Sequence, residues 1–96
     1  MARYTTRIEL HDADGEDYDQ LHAEMKKEGF SRLIKADADG TWYHLPWAEY
    51  NRETDLELDA VLASAESAAG RTGCKYEALV TKSAGRRWSG LRPVKK

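Results

Sequence analysis

The strict alternation of side chains near the start of the chain constrains the fold more than any other feature of the sequence. One set of alternating positions is mostly apolar and the other is charged or polar: Tyr4, Thr6, Ile8 and Leu10 against Arg3, Thr5, Arg7 and Glu9. A period of two residues is typical of a β-strand with one covered face and one face open to water. The fold must therefore supply a second layer that covers one face of a sheet.

Two amphipathic helices are predicted, and they can supply that layer. Their apolar stripes recur at helical spacing, with Tyr18, Leu21 and Met25 in the first and Leu58, Val61, Leu62, Ala65 and Ala69 in the second. Aspartates before the first stripe and Gly29 after it are typical of a helix start and a helix end. Thr54 and Glu57 match a capping box, which predicts the start of the second helix.

Three further β-prone segments complete the pattern, at residues 30–36, 41–45 and 75–81. Residues 47–51 are expected to continue the third strand beyond a break or bulge at Pro46, which has no N–H to donate. The order βαββαβ indicates an α+β, ferredoxin-like fold, in which a four-stranded antiparallel sheet carries both helices on one face. The other face of the sheet is expected to stay open.

Charge divides the chain into an acidic body and a basic end. Residues 1–81 carry 9 basic and 17 acidic side chains, whereas residues 82–96 carry six basic and no acidic ones. We therefore expect a ferredoxin-like domain over residues 1–82 and a basic C-terminal extension over residues 83–96, available as an added strand or a dimer contact. A basic end of this kind attracts phosphates or docks on its own acidic body, and the sequence leaves both alternatives open.

Cysteine usage and hydropathy bear on the compartment. Cys74 is the only cysteine, which excludes an internal disulfide and favours a reducing environment. No apolar run approaches the roughly 20 residues that span a bilayer, and the first ten residues lack the apolar region of a signal peptide. These features predict a cytoplasmic protein without membrane insertion.

The tetrapeptide Asp-Ala-Asp-Gly occurs twice, at residues 12–15 and 37–40. An EF-hand loop needs oxygen ligands at its first and last positions, and neither copy has them when its glycine is set at position 6. The first copy precedes a helix and is expected to cap it. The second ends in Asp39-Gly40 between two β-prone runs, which predicts a hairpin turn. Neither copy is predicted to hold a metal, and no motif for a cofactor is present.

Basic and aromatic residues form a candidate surface for RNA. Arg3 and Arg7 lie on the predicted open face, where basic groups near aromatic rings are one way in which small folds hold single strands. In the extension, Arg86, Arg87 and Trp88 lie side by side and are suited to clamp phosphates and to stack a base. The competing interpretation is that the strand aromatics serve the core or a dimer contact.

Two histidines are candidate catalytic groups. Cleavage of RNA needs a group that activates a 2′-hydroxyl, and a histidine that titrates near neutral pH suits that task. His44 lies in a predicted strand beside Trp42, and His22 flanks the apolar stripe of the first helix. The alternative for both is a hydrogen-bonded structural role.

The layout resembles the GhoS-type antitoxin family. The resemblance spans nearly the whole chain and rests on these segments: Ile8-Glu-Leu10, Tyr18-Asp-Gln-Leu21, Gly29-Phe-Ser-Arg32, the aspartate-glycine turn, Tyr43-His-Leu-Pro46, Glu49-Tyr50 and residues 81–86. It departs at His22, where the founding member has an arginine, so no role is carried over to that side chain.

The resemblance implies a small bacterial protein with a ferredoxin-like fold, similar to the small CRISPR-associated nucleases. The founding member is an endoribonuclease antitoxin that cleaves the messenger RNA of its membrane-acting toxin. The resemblance therefore implies a sequence-selective RNase or an RNA-binding regulator, and any cleavage by this chain is expected to be independent of metal. The expected partners are therefore single-stranded RNA and a second copy of the chain in a homodimer.

A second hypothesis comes from a different class. The chain would be a non-enzymatic acidic interaction or inhibitor protein of phage or mobile-element origin, which acts by binding another protein. The acidic body, which can mimic the charge of a nucleic acid, and the aromatic run from Trp42 to Tyr50 favour it.

Overall fold

The structure is a computed structural model that describes residues 1–94. It is an α+β fold of two helices and five strands, which are β1 (Ala2–Leu10), α1 (Gly15–Lys27), β2 (Leu33–Lys35), β3 (Trp42–His44), β4 (Glu49–Thr54), α2 (Leu58–Gly70) and β5 (Tyr76–Ser83). The two amphipathic helices and the antiparallel sheet structure that the sequence predicts are confirmed.

The first strand is the centre of a three-stranded antiparallel sheet with the order β4-β1-β5. Tyr4, Thr6, Ile8 and Leu10 are all buried, as the alternation predicts. Tyr4, Ile8 and Leu10 pack under the helices in a core with Leu21 and Met25 of α1 and with Val61, Ala65, Ala68 and Ala69 of α2. The alternate side chains of β1 consequently lie on the sheet face opposite the helices.

The strands after α1 differ from the prediction of one four-stranded sheet. β2 and β3 form a separate two-stranded hairpin, and β4 pairs with β1 instead of extending β3. The chain changes direction at Pro46 and Ala48, where Ala48 adopts a positive φ of 68°. Residues 41–45 and 47–51 are therefore parts of two strands, because a proline without an N–H interrupts the ladder between them.

A backbone bridge joins the start of the hairpin to the sheet. The backbone N–H groups of Ser31 and Asn51 each donate to the other residue's carbonyl oxygen, at 2.8 and 2.7 Å. This bridge places the segment before β2 beside the outer edge of β4.

The two copies of Asp-Ala-Asp-Gly have the two predicted roles. Asp14 caps α1: its side chain accepts from the Asp17 N–H, and the Asp17 side chain accepts from the Asp14 N–H. In the second copy the chain turns between β2 and β3, with Gly40 at a positive φ of 72°. An aspartate-glycine turn suits this backbone because glycine has no Cβ to clash.

The capping box predicted at Thr54 and Glu57 is wrong. Glu57 is the N-cap of α2 but makes no side-chain capping bond. The Thr54 hydroxyl accepts instead from the Leu56 N–H at 3.2 Å, and the Tyr4 hydroxyl donates to the Leu56 carbonyl at 2.7 Å. The buried Tyr4 thus fixes the backbone just before α2. Thr54 stabilises a turn that precedes the helix and does not cap the helix itself.

The C-terminal extension turns back onto the domain after β5. The His44 N–H donates to the Arg92 carbonyl and the Val94 N–H donates to the Trp42 carbonyl, both at 2.9 Å. The extension thereby covers the outer edge of β3, where Tyr43 and Pro93 form a bridge. Lys95 and Lys96, the last residues of the predicted basic extension, lie outside the described residues.

Within residues 1–94, neither helix has the length and the apolar character required to cross a membrane.

Candidate functional site

A cleft opens where the extension crosses the face of the sheet opposite the helices. It has a volume of about 340 Å³ and is lined by the β2–β3 turn on one side and the extension on the other. An adjoining cavity of about 320 Å³ shares Arg3, Lys35, Ala36, Asp37 and Arg86 with it and reaches Asn51 and Glu53. We call the two together the cationic cleft.

Arg3 forms the floor of the cationic cleft and is held by two carboxylates. Its Nη1 and Nη2 donate to Asp37 at 2.8 and 2.9 Å, and its Nε donates to Glu53 at 3.2 Å. The hydrogen bonds with Asp37 raise the pKa of Arg3 above its usual value and hold the pKa of Asp37 below its own. A bidentate carboxylate thus occupies the fork that a phosphate would use.

Arg86 anchors the extension to the sheet. Its Nη1 donates to Asn51 Oδ1 at 2.7 Å and to Thr5 Oγ1 at 3.3 Å. Asn51 is a buried polar side chain, and Arg86 gives it a hydrogen-bond partner. Burial lowers the pKa of Arg86, but an arginine keeps its charge at any physiological pH.

The rim of the cleft combines exposed cationic groups with aromatic rings in edge-on contact. Arg87 is exposed, lines the larger cavity and donates from Nη1 to the Arg86 carbonyl at 2.8 Å. Trp88 meets Tyr43 edge-on, with ring centroids 5.7 Å apart. Lys35 is exposed and its Nζ lies 5.9 Å from the centre of the Trp42 ring.

The charges of the cleft do not cancel. Arg3, Lys35, Arg86 and Arg87 contribute four cations, and Asp37 and Glu53 contribute two carboxylates. On a chain that is acidic as a whole, this concentration of cations favours an anion, and the nearby rings favour a planar group. The arrangement is suited to bind a phosphate together with a base.

The structure brings four of the five predicted RNA contacts together. Arg3, Arg86, Arg87 and Trp88 all line the cationic cleft. Arg7 lies on the same sheet face but further along β1, opposite Glu49 of β4 and Leu79 of β5. It does not line either cavity, and its contact with RNA stays a prediction.

His22 lies on the other side of the sheet, in an aromatic group beneath α1. Its Nδ1 is 2.6 Å from the Tyr50 hydroxyl, and its ring meets Trp47 edge-on at 5.0 Å. Burial, and after it the positive charge of Arg32, lowers the pKa of His22. Burial also raises the pKa of Tyr50, so both groups are neutral at neutral pH.

His44 does not line the cleft either. Neither cavity includes it, although Tyr43, its neighbour in β3, lines the larger one. The structure therefore does not bring the two candidate catalytic histidines together with the four clustered RNA contacts.

Sequence reasoning missed four residues of the site. Lys35, Asp37, Asn51 and Glu53 line the cleft, but the first three come from segments predicted as strand or turn only, and Glu53 lies between two predicted elements. A usable signal existed for Asn51, because a polar amide between the strand residues Tyr50 and Arg52 calls for a buried partner. No local pattern links Asp37 to Arg3, which lies 34 residues earlier.

No group of three or more potential ligands among His, Cys, Asp and Glu side chains is placed to hold a metal ion within the described part of the chain. Comparison of the chain with protein-family models, with curated proteins and with solved structures found no significant match.

Proposed function

We propose that the protein binds single-stranded RNA in the cationic cleft and acts as an antitoxin of the GhoS type. The observation that carries the proposal is the convergence of Arg3, Arg86, Arg87 and Trp88 on one cleft from opposite ends of the chain. Guanidinium groups beside an aromatic platform are a recurrent means of holding a single strand.

Each part of the cleft has a distinct task in this proposal. Arg87 and Lys35, which are exposed, bind phosphates directly. Arg86 keeps the extension in place and adds its charge. Trp88, supported edge-on by Tyr43, presents a ring on which one base stacks. A cleft of about 340 Å³ is large enough for roughly one nucleotide, with neighbouring nucleotides outside it.

The resemblance to the GhoS-type family supplies the biological part of the proposal. The RNA would be the messenger of a membrane-acting toxin, and the protein would meet it in the cytoplasm of a bacterium. Cleavage needs a base within hydrogen-bond reach of the 2′-hydroxyl, and both candidate histidines lie away from the cleft. We therefore propose binding as the primary activity, with cleavage by His44 or His22 as a separate hypothesis for the same assay.

The ferredoxin-like description of the fold is part of the same proposal. Its support is the order β5-β1-β4, extended by the Ser31–Asn51 bridge at the position of a fourth strand. In that description the β2–β3 hairpin continues from the segment that takes the place of the fourth strand. The hairpin and its turn contribute Lys35, Asp37 and Tyr43 to the cleft.

A second candidate function is protein binding without catalysis, as in an acidic inhibitor. The observation in its favour is the exposure of two tryptophans, Trp47 at 57% and Trp42 at 41%. Large exposed aromatic rings are typical of protein interfaces. They lie on different parts of the surface, with Trp47 over α1 residues and Trp42 beside Lys35, so they do not form one aromatic patch.

The experiment that tests the proposal is a binding titration with a fluorescently labelled single-stranded oligoribonucleotide at several salt concentrations. With two or three phosphates bound, log K should fall with log salt at a slope of about −1.4 to −2.1. A duplex of the same sequence should bind more weakly, because its bases are not free to stack. Absence of binding at low salt would refute the RNA proposal and favour the acidic inhibitor.

The same samples answer the question of cleavage. Incubation of the labelled RNA with wild-type protein in the presence of a chelator should give fragments only if a metal-independent base operates. Loss of fragments in His44→Gln or in His22→Gln, with binding unchanged, would assign the base. Intact RNA with full binding would leave a pure RNA-binding regulator.

A further inference from the structure

The edges of the sheet differ in how they are covered. The outer edge of β4 is bridged by Ser31, and the outer edge of β3 is covered by Arg92 to Val94 of the extension. Over residues 1–94, no backbone pairs with the outer edge of β5, although β5 is eight residues long. Long uncovered edges of this kind are places where a second strand adds by hydrogen bonding.

The backbone groups on the free edge of β5 can be identified. The His11 N–H donates to the Lys75 carbonyl at 2.8 Å, and Leu10 is in register with Tyr76. In an antiparallel pair, residues that exchange hydrogen bonds alternate with residues that do not. Odd-numbered residues of β5 therefore bond to β1, and the N–H and C=O groups of the four even-numbered residues point outward: Tyr76, Ala78, Val80 and Lys82.

The side chains of β5 indicate that the partner on this edge is another β-strand. Leu79 lies near the middle of the strand, on the face opposite the helices, and 64% of its surface is exposed. It is the most exposed large apolar side chain after Met1. An apolar side chain beside free backbone donors and acceptors is the surface that another β-strand covers.

We infer that β5 pairs antiparallel with β5 of a second copy of this chain, with Leu79 on the two-fold axis. In this register Ala78 exchanges hydrogen bonds with Val80 of the second copy, and Val80 does so with Ala78 of the second copy. The two Leu79 side chains meet as a non-bonded pair, in which side chains approach most closely. The two three-stranded sheets become one six-stranded sheet with all four helices on the same face.

The charges along β5 are compatible with this partner. The segment contains Lys75, Glu77 and Lys82, and the proposed register sets Glu77 against Thr81 and Lys82 against Tyr76. Like charges do not face each other, so an otherwise acidic copy can approach along this edge. The inference is independent of RNA binding, because no residue of β5 lines either cavity of the cationic cleft.

The first test measures the mass of the full-length protein in solution by sedimentation equilibrium or light scattering over a range of concentrations, without RNA. The wild type should show a reversible dimer, and Leu79→Lys should weaken dimerisation about tenfold or more. Leu58→Lys is the matched control, because Leu58 is also exposed (42%) but lies at the start of α2, and it should dimerise as the wild type does. A wild type that stays monomeric, or a Leu79→Lys variant that dimerises normally, would overturn the inference.

The second test examines the register, in a Cys74→Ser background so that the introduced thiol is the only one. Non-bonded antiparallel pairs have Cα atoms about 4.5 Å apart, which is within the range of a disulfide. Leu79→Cys should therefore form a disulfide-linked dimer rapidly under mild oxidation. Thr81→Cys, which faces Glu77 of the second copy, should cross-link more slowly. Equal or faster cross-linking through position 81 would contradict the proposed axis.

Discussion

The cationic cleft and the aromatic group around His22 contain similar residue types but differ in what their side chains contact. In the cleft, Arg87 and Lys35 keep their charges free at the surface, and Trp88 stands beside them. In the aromatic group, His22 is bonded to Tyr50 and packed against Trp47. One region is thus built to meet an anion, and the other uses its hydrogen bonds to hold the fold.

The difference teaches that a histidine and an exposed tryptophan do not by themselves mark a site. Trp47 is more exposed than Trp42, yet Tyr18 and His22 flank its ring and the Arg32 guanidinium lies 5.4 Å from its centre. Three side chains of its own chain thus already contact this ring. Trp88 has one ring neighbour and open space bounded by cations.

The largest expected effect separates the two tryptophans. Trp88→Ala should weaken binding of single-stranded RNA by about 1–3 kcal/mol, or roughly five- to 150-fold, because a stacking platform is lost. Trp47→Ala is the matched control and should leave the affinity unchanged. The measurement is the anisotropy titration with labelled RNA. Equal losses in the two variants would remove the distinction between the regions.

The next effect separates two arginines. Arg87→Gln should lower affinity several-fold and reduce the magnitude of the salt slope by about 0.7, as expected for one lost phosphate contact on a single strand. Arg71→Gln serves as the control, because Arg71 is bound to Glu24 and Glu28 on the helix side. An unchanged slope for Arg87→Gln would show that the rim of the cleft does not touch phosphate.

Removal of one carboxylate from the cleft is expected to strengthen RNA binding. Asp37→Asn removes the negative charge that occupies the fork of Arg3, so RNA affinity should rise roughly twofold to fivefold. Asp39→Asn makes the same change of charge in the same turn and retains the oxygen that accepts from the Thr41 N–H. Affinities compared at low salt should show the larger gain for Asp37→Asn; an equal gain in both would indicate a general effect of net charge.

Much of this site follows from long-range contacts that the sequence does not encode locally. The alternation in β1 is enough to place Arg3 on the face away from the helices, and the adjacent Arg86-Arg87-Trp88 is visible as a cationic and aromatic segment. The sequence does not show that the extension returns over Asn51, because this contact depends on the position of β4 in the sheet. The division of the third strand at Pro46 decides that position, and local propensity does not say which strand each half will join.

The smallest expected effect concerns stability and pH. Burial and Arg32 lower the pKa of His22, with a weaker opposing effect from Asp19, so the unfolded chain binds a proton more readily than the folded one. The contribution of His22 to stability is therefore complete above the ordinary histidine pKa of about 6.5 and is lost as pH falls through the lowered value. Wild-type protein should unfold at lower urea concentration at about pH 5.5 than at neutral pH.

His22→Gln should reduce this dependence on pH while leaving RNA affinity unchanged. Glu24 and Asp37 also have lowered pKa values, but their contribution is lost only below the ordinary carboxyl range, at a more acidic pH. Urea midpoints at the two pH values, for wild type and variant, measure the effect. If the urea midpoint of His22→Gln changes with pH as much as that of the wild type, the pH dependence comes from other groups.

The most direct test of the central claim is to locate RNA on the protein surface. Titration of isotopically labelled protein with a short single-stranded oligoribonucleotide, followed by NMR, should shift the backbone signals of Lys35, Asp37, Tyr43 and Arg86 to Trp88. The signals of His22 and Trp47 should stay in place. Shifts concentrated around His22 and Trp47, with the cleft unaffected, would contradict the account.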